Sequence, residues 1–191
     1  LHPNGRINHY QDEADNPYSL CSDQIYAVHE DRQHHIWIGT FERGICLMQM
    51  KDGKDVFIHA DNILKGYPVD NYHKVRRITE TTDGNIIVSA SNGLVVFSEK
   101  FSHPANIHFY AHKHVPGDTT SLLTSDVMHT CVSHDGRIFV ATVGGGMQEI
   151  VDKQHLQGDL RLKMANPTED DYGTVLSMIE DKEHNLWIGR E

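Results

Sequence analysis

The chain has 191 residues, long enough for one domain with a real core, and its 38% hydrophobic and 23% charged residues are those of a globular protein. A net charge of −10 argues against a general nucleic-acid binder or a partner for anionic membrane, since both need a basic face. No apolar run approaches the ~18 residues that would span a bilayer. No signal peptide is visible and the first residue is Leu1, which suggests a piece of a longer chain. Cys21, Cys46 and Cys131 form no C-x-x-C pair and leave one odd sulfur, so no disulfide framework is expected.

In chain order, residues 1–15 hold a short run, "INHY" from Ile7, that reads as the last strand and exit loop of an earlier unit. Residues 16–66 form the first full unit. It runs through "IYAVHE", the polar turn "DRQHH", the block "IWIGT", a glycine at Gly44, then "ICLM" and "VFIH". Residues 67–115 repeat that order as "VRRITE", "TTDGN", "IIVSA", Gly93, "LVVFS" and "IHFY". Residues 116–165 repeat it again as "VMHTCV", "SHDGR", "IFVAT", Gly146, "MQEI" and "LRLKM". Residues 166–191 supply "VLSMIE", "DKEHN" and "LWIGR", the first two strands of a fourth unit.

The four units align without a gap from Ile25, Val75, Val127 and Val175, at spacings of 50, 52 and 48 residues. Three apolar columns follow one another: Ile36, Ile86, Ile138 and Leu186; Trp37, Ile87, Phe139 and Trp187; Ile38, Val88, Val140 and Ile188. The next column is small throughout, Gly39, Ser89, Ala141 and Gly189, as a strand closely approached by a neighbour would require. Short β-branched and aromatic runs bounded by turn residues, with no helical period of any length, predict strands. Four strands per ~50 residues predict an all-β fold, a partial β-propeller of four-stranded antiparallel blades with about three and a half repeats. Such a piece leaves two sheet edges open, and two copies are expected to associate so that the exposed strands cover one another.

The stretch "NPYSLCSDQIYAVHEDRQHHIWIGT" resembles the two-component regulator propeller repeat, with "DTTSLLTSDVMHTCVSHDGRIFVAT" and "TVLSMIEDKEHNLWIGR" as weaker copies. The unit at Val75 departs most, with Ile87 in the tryptophan position and no S-L-x-S lead. The resemblance, which covers residues 5–191, implies the periplasmic sensor region of a hybrid histidine kinase: two large propellers and a β-sandwich ahead of a membrane helix and a kinase. It further implies an oligosaccharide ligand released from glycans, control of polysaccharide-utilisation genes, and no catalysis or direct membrane insertion by this segment.

By analogy with other propellers, the first strand of each unit lies innermost. Connections 16–24, 67–74, 116–125 and 166–173, with 41–43, 91–92 and 143–145, then share one face. That face carries the expected ligand-binding residues Tyr18, Phe41, Arg43, Tyr72, His73, Asn92, Tyr172 and Arg190. Aromatic faces pack on sugar C–H surfaces, and planar polar groups pair with hydroxyls or anionic substituents. The plainer account makes these ordinary loop residues and hydrophobic plugs. Trp37 and Trp187 sit inside "IWIG" and "LWIG" and are expected in the core between blades. Asp31 and Asp181 recur in equivalent turns and are expected to brace them rather than to catalyse.

The 15 histidines raise a metal site at His112 and His114, near His108, but no third or fourth ligand is evident, so no metal or other cofactor is expected. No G-x-S-x-G or H-E-x-x-H motif is present, and "VGGGM" leads into a strand rather than a helix. The alternatives are a structural or protein-interaction propeller, and a propeller glycosidase or lyase, which would need two carboxylates or a Tyr/His/Arg group converging on the axis.

Overall fold

The computed structural model describes residues 5, 7–165 and 173–191. Among the described residues the alternating apolar runs form fourteen strands in four sheets, every neighbouring pair antiparallel. The first blade holds β1 (Ile25–Glu30), β2 (Ile36–Thr40), β3 (Ile45–Lys51) and β4 (Lys54–Ile58) in that spatial order. A four-residue helix, α1 (Val69–Tyr72), leads to the second blade: β5 (Val75–Glu80), β6 (Asn85–Ala90), β7 (Gly93–Ser98) and β8 (Tyr110–His112). The third blade holds β9 (Val127–Val132), β10 (Ile138–Thr142), β11 (Gly146–Ile150) and β12 (Leu162–Met164). A two-stranded sheet of β13 (Val175–Glu180) and β14 (Leu186–Arg190) follows. The first strands β1, β5, β9 and β13 pack one after another, so they form the inner wall of an open partial propeller.

Each β1–β2-type turn is closed the same way. Asp31, Thr81, Ser133 and Asp181 each donate the backbone N–H to the carbonyl four positions on and accept at the carbonyl from the N–H three positions on, and that third residue adopts a positive φ. That residue is His34, Gly84, Gly136 or His184; glycine is the low-cost occupant, and histidine tolerates the conformation better than a β-branched residue would. Asp31 also accepts bonds from Gln33 N, His35 N, His35 Nδ1 and Trp37 Nε1. Asp181 does the same for Glu183 N, Asn185 N, Asn185 Nδ2 and Trp187 Nε1. The two aspartates brace turns, as their recurrence suggested.

The core lies between blades. One cluster joins the first two blades through Trp37, Ile45, Leu47, Ile86, Val88 and Phe97, with the Trp37 and Phe97 rings 4.8 Å apart, edge to face. A second joins the next pair through Ile87, Leu94, Ile138, Val140 and Ile150, and a third joins Phe139 and Ala141 to Val175 and Met178. The small column permits this stacking: a Cβ at Gly39 would lie 2.5 Å from Val75 Cγ1 of the next inner strand. Ser89 Oγ reaches Thr130 Oγ1 at 3.1 Å across the next boundary.

Four expectations need correcting or qualifying. Cys21 and Cys46 are joined in a disulfide, leaving only Cys131 free. The repeat explains the pairing, because the equivalent position in the third blade is bridged by a side chain: Leu123 N donates to Gln148 Oε1 at 2.8 Å, across the same separation of 25 residues. Residues 7–10 form no strand; Tyr10 instead packs its ring on Phe57 at 5.2 Å, so this stretch covers the outer face of the first blade. The last strand of the second blade begins at Tyr110 rather than at Ile107, because a 3₁₀ turn at Pro104–Asn106 turns Ile107 into the core. Trp37 is fully buried as expected, but Trp187 is 63% exposed, since no described sheet packs beyond β14.

Candidate functional site

The inner strands deviate from the regular ladder at one place each. Pairing with the second strand skips a residue between Ile25 and Ala27, Val75 and Arg77, Val127 and His129, and Val175 and Ser177. Bulges of this kind release a side chain from the alternation and re-aim it. The released residues are Tyr26, Arg76, Met128 and Leu176. Beside each bulge, the residue after the second strand ties back to the residue before the first. Phe41 N donates to Gln24 O at 3.0 Å, Ser91 N to Lys74 O at 3.1 Å, Val143 N to Asp126 O at 2.9 Å and Glu191 N to Thr174 O at 3.2 Å. A row of blade-specific side chains therefore lines the mouth at the loop face.

In the first three blades this row is contiguous. Tyr26 stacks on Phe41 with ring centroids 4.7 Å apart and planes at 23°, and Tyr26 is 59% exposed. Lys74 Nζ lies 5.2 Å from the Phe41 ring centroid, a cation–π distance. The Arg76 guanidinium pairs with the Asp126 carboxylate and donates to Val127 O at 3.1 Å. Gln24 Nε2 donates to Glu42 Oε1 at 3.3 Å on the rim. A two-ring aromatic platform with a lysine over it and an arginine beyond presents an apolar, electron-rich face next to positive charge.

Below the mouth, a groove of about 360 Å³ runs along the inner strands, lined by Arg77, Thr79, His129, Cys131 and Ile179 among others. His129 Nδ1 accepts the Met178 backbone N–H at 2.7 Å. Burial, with Arg77 nearby, pushes the imidazole down to about 4, so it stays neutral. Burial likewise pushes the Cys131 thiol up, which leaves it a poor nucleophile at neutral pH.

The residues expected on the loop face do not all reach it. Phe41 is half-buried in the platform. Tyr18 stands beside β4, where its carbonyl accepts from Phe57 N, with Lys51 Nζ 5.9 Å over its ring. Arg43 is exposed and lies 3.7 Å from Asp61. Tyr72 is only 5% exposed, and its carbonyl takes the Tyr67 hydroxyl at 2.8 Å, so it is a plug beneath the face. The His73 carbonyl accepts the Gly44 N–H at 2.9 Å, and Asn92 is half-buried next to Gly93. Arg190 is the exposed last residue of β14, and Tyr172 lies outside the described residues. Tyr26, Lys74 and the bulged role of Arg76 were missed. The signal for Tyr26 and Arg76 was a column of unlike residues, Tyr26, Arg76, Met128 and Leu176, directly after a coherent one. His112 and His114 each donate a ring N–H to a different backbone carbonyl, Leu156 O at 2.9 Å and Leu122 O at 2.7 Å.

The family model "Two component regulator propeller" matches residues 19–42. Over that stretch the chain is similar to a two component regulator propeller repeat. Its lead serine is structural, since Ser19 Oγ takes Glu13 N at 3.0 Å, as Ser121 Oγ takes Val115 N at 3.0 Å in the third blade. The leucines after them, Leu20 and Leu122, are buried in their blades' clusters. The repeat's Asp31 and Trp37 hold turn and core, and Tyr26 and Phe41 are the repeat residues that form the mouth platform.

Solved propellers share the fold. The type-IX secretion component PorZ of Porphyromonas gingivalis superposes with a TM-score of 0.66 at 13% identity, over 97% of this chain and 27% of that one. A catalytically inactive virginiamycin B lyase from Staphylococcus aureus gives 0.56 at 16% identity, over 95% of this chain and 52% of that one. The extracellular domain of a protein assigned to the hybrid two component systems of B. thetaiotaomicron gives 0.49 at 19% identity, over 96% of this chain and 28% of that one. The chain thus spans about a quarter to a half of the length of these proteins. No curated protein matches it.

Proposed function

We propose that the chain is a non-catalytic segment of a two-component sensor's propeller, and that the loop-face mouth contributes to binding an oligosaccharide, preferentially one with an acidic substituent. The Tyr26–Phe41 stack beside Lys74 is the observation that carries the reading: the rings offer a surface for sugar C–H groups and the lysine a partner for a carboxylate or sulfate. The carboxylates at the mouth favour binding over hydrolysis, because Asp126 is paired with Arg76, Glu42 with Gln24 and Asp61 with Arg43. The Cys21–Cys46 disulfide suits an oxidising compartment such as the periplasm. A ligand on this face would act by favouring one arrangement of the parent's ectodomains, a bias that reaches the kinase and the polysaccharide-utilisation genes it controls. Among the described residues no helix is long and apolar enough to cross a membrane.

The test is a calorimetric titration of neutral and acidic oligosaccharides into the chain, Phe41→Ala and Tyr26→Ala. Losing the stack should weaken binding by about 2- to 12-fold in each variant, with Tyr18→Ala unaffected. A ligand whose affinity ignores both variants would move the site off this mouth. Silence across the panel from a folded chain would favour a protein-interaction propeller.

A further inference from the structure

On the face opposite the mouth, the same pair of positions joins the turn of one blade to the next inner strand at two of the three described boundaries. Between the first two blades, Arg32 in the β1–β2 turn bonds to Glu80 at the end of the next inner strand. Its two other nitrogens donate to Thr81 O and Thr82 O, each at 2.8 Å. A permanent cation thus neutralises a carboxylate that is itself only 11% exposed. The same pair of positions between the third blade and the β13–β14 sheet is held by His134 and Glu180.

Here the chemistry changes. His134 N donates to Glu180 Oε2 at 2.7 Å, and His134 Nδ1 lies 2.6 Å from Glu180 Oε1. His184, in the turn column that holds glycine in the second and third blades, adds Nδ1 at 3.4 Å from the same Oε1. The two imidazoles stack with centroids 3.4 Å apart and planes at 19°. One Glu180 oxygen and the two ring nitrogens lie within 4.8 Å of one another. Imidazole, unlike guanidinium, carries no permanent charge, so this carboxylate lacks the fixed positive charge that Arg32 gives Glu80. In its place the boundary has two ring nitrogens and one carboxylate oxygen, converging from two blades.

We propose that His134, Glu180 and His184 bind a borderline transition-metal ion, zinc being the best match to two imidazoles and a carboxylate. The ion clips the third blade to the β13–β14 sheet. The exposed side of the cluster leaves room for water as the remaining ligand. Binding displaces the proton between His134 Nδ1 and Glu180. Because metal–nitrogen bonds lie in the ring plane, loading also unstacks the two rings. Hard cations such as Mg²⁺ and Ca²⁺ prefer all-oxygen sets and are excluded by the two nitrogens.

The experiment titrates ZnCl₂ into the 191-residue chain in chelator-free buffer, with MgCl₂ and CaCl₂ in parallel. It follows zinc by competition with a chromophoric chelator and stability by thermal melt. The expected result is one zinc-dependent site that raises the melting temperature. His134→Ala and His184→Ala should each weaken it by at least about tenfold, while His155→Ala, which removes a histidine paired only to Asp152 on another loop, leaves it intact. The ring resonances of His134 and His184 should move with zinc in the unaltered chain, a readout that needs no variant. Zinc affinity that survives His134→Ala, or ring resonances indifferent to zinc, overturns the proposal.

Discussion

Trp37 and Trp187 hold the same place in their repeats and make the same bond, indole Nε1 to the turn aspartate, yet one is fully buried and the other 63% exposed. Alanine substitution should separate them. At Trp37 the change removes a ring packed against Phe97 and Phe101 and opens a cavity in the cluster between the first two blades. A loss of roughly 3–5 kcal/mol is expected. At Trp187 the lost contacts are mostly with solvent, and the cost should stay below about 1 kcal/mol. In a chain of this length each kcal/mol moves the melting temperature by about 2–4 °C, so Trp37→Ala should melt roughly 6–20 °C lower and Trp187→Ala within a few degrees of the parent. Trp37→Phe isolates the bond to the buried Asp31 and should fall between, at about 1–3 kcal/mol. Equal shifts for the two alanine variants would refute the reasoning, because Trp187 would then be covered in solution. A second copy seated on the β13–β14 sheet is the natural cover, and a concentration-dependent melt with a doubled mass in light scattering would identify it.

Two further outcomes follow from the chemistry of single groups. Reducing the Cys21–Cys46 bond, or replacing Cys21 by serine, releases a loop of 25 residues and should cost about 3.5 kcal/mol by the chain-entropy estimate. Before reduction the native chain should offer a thiol reagent only the slow Cys131, and a native chain with three readily titrated thiols would refute the bridge. His129 is held neutral in the fold, at about 4 against 6.5 in the unfolded chain, so its contribution is complete above about pH 6.5. As the pH falls from there toward 4, the unfolded chain takes up a proton the folded one refuses, and stability is lost. His59 and His112, also lowered by burial, act in the same direction. The urea midpoint of His129→Gln should fall less steeply than that of the parent across this window, and parallel curves would rule the account out.

Much of the fold was legible because a repeat reports the same physics four times. The apolar columns became the interblade clusters, the small column at Gly39 became the close approach of Val75, and the turn aspartates became braces. The disulfide was not legible, since a spacing of 25 residues carries no signal until the Leu123–Gln148 bridge shows that those two places adjoin. Among the described residues expected on the loop face, only Phe41 lies in the aromatic stack with Tyr26. Tyr72 misled because an aromatic in a connection can turn inward, and Tyr26 was overlooked because it falls within a strand. A bulge makes a strand residue behave like a loop residue, and no pattern of alternation announces it in advance.

That bulge also decides which positions in the chain are open to change. A side chain on the regular ladder is answerable to a partner strand and to the neighbouring blade, so altering it disturbs two sheets at once. The residue at the bulge owes no ladder pairing to the second strand, while the bond closing the mouth beside it is made by backbone atoms alone. A propeller built this way can exchange Tyr26, Arg76, Met128 or Leu176 one blade at a time, like letters set in a fixed frame.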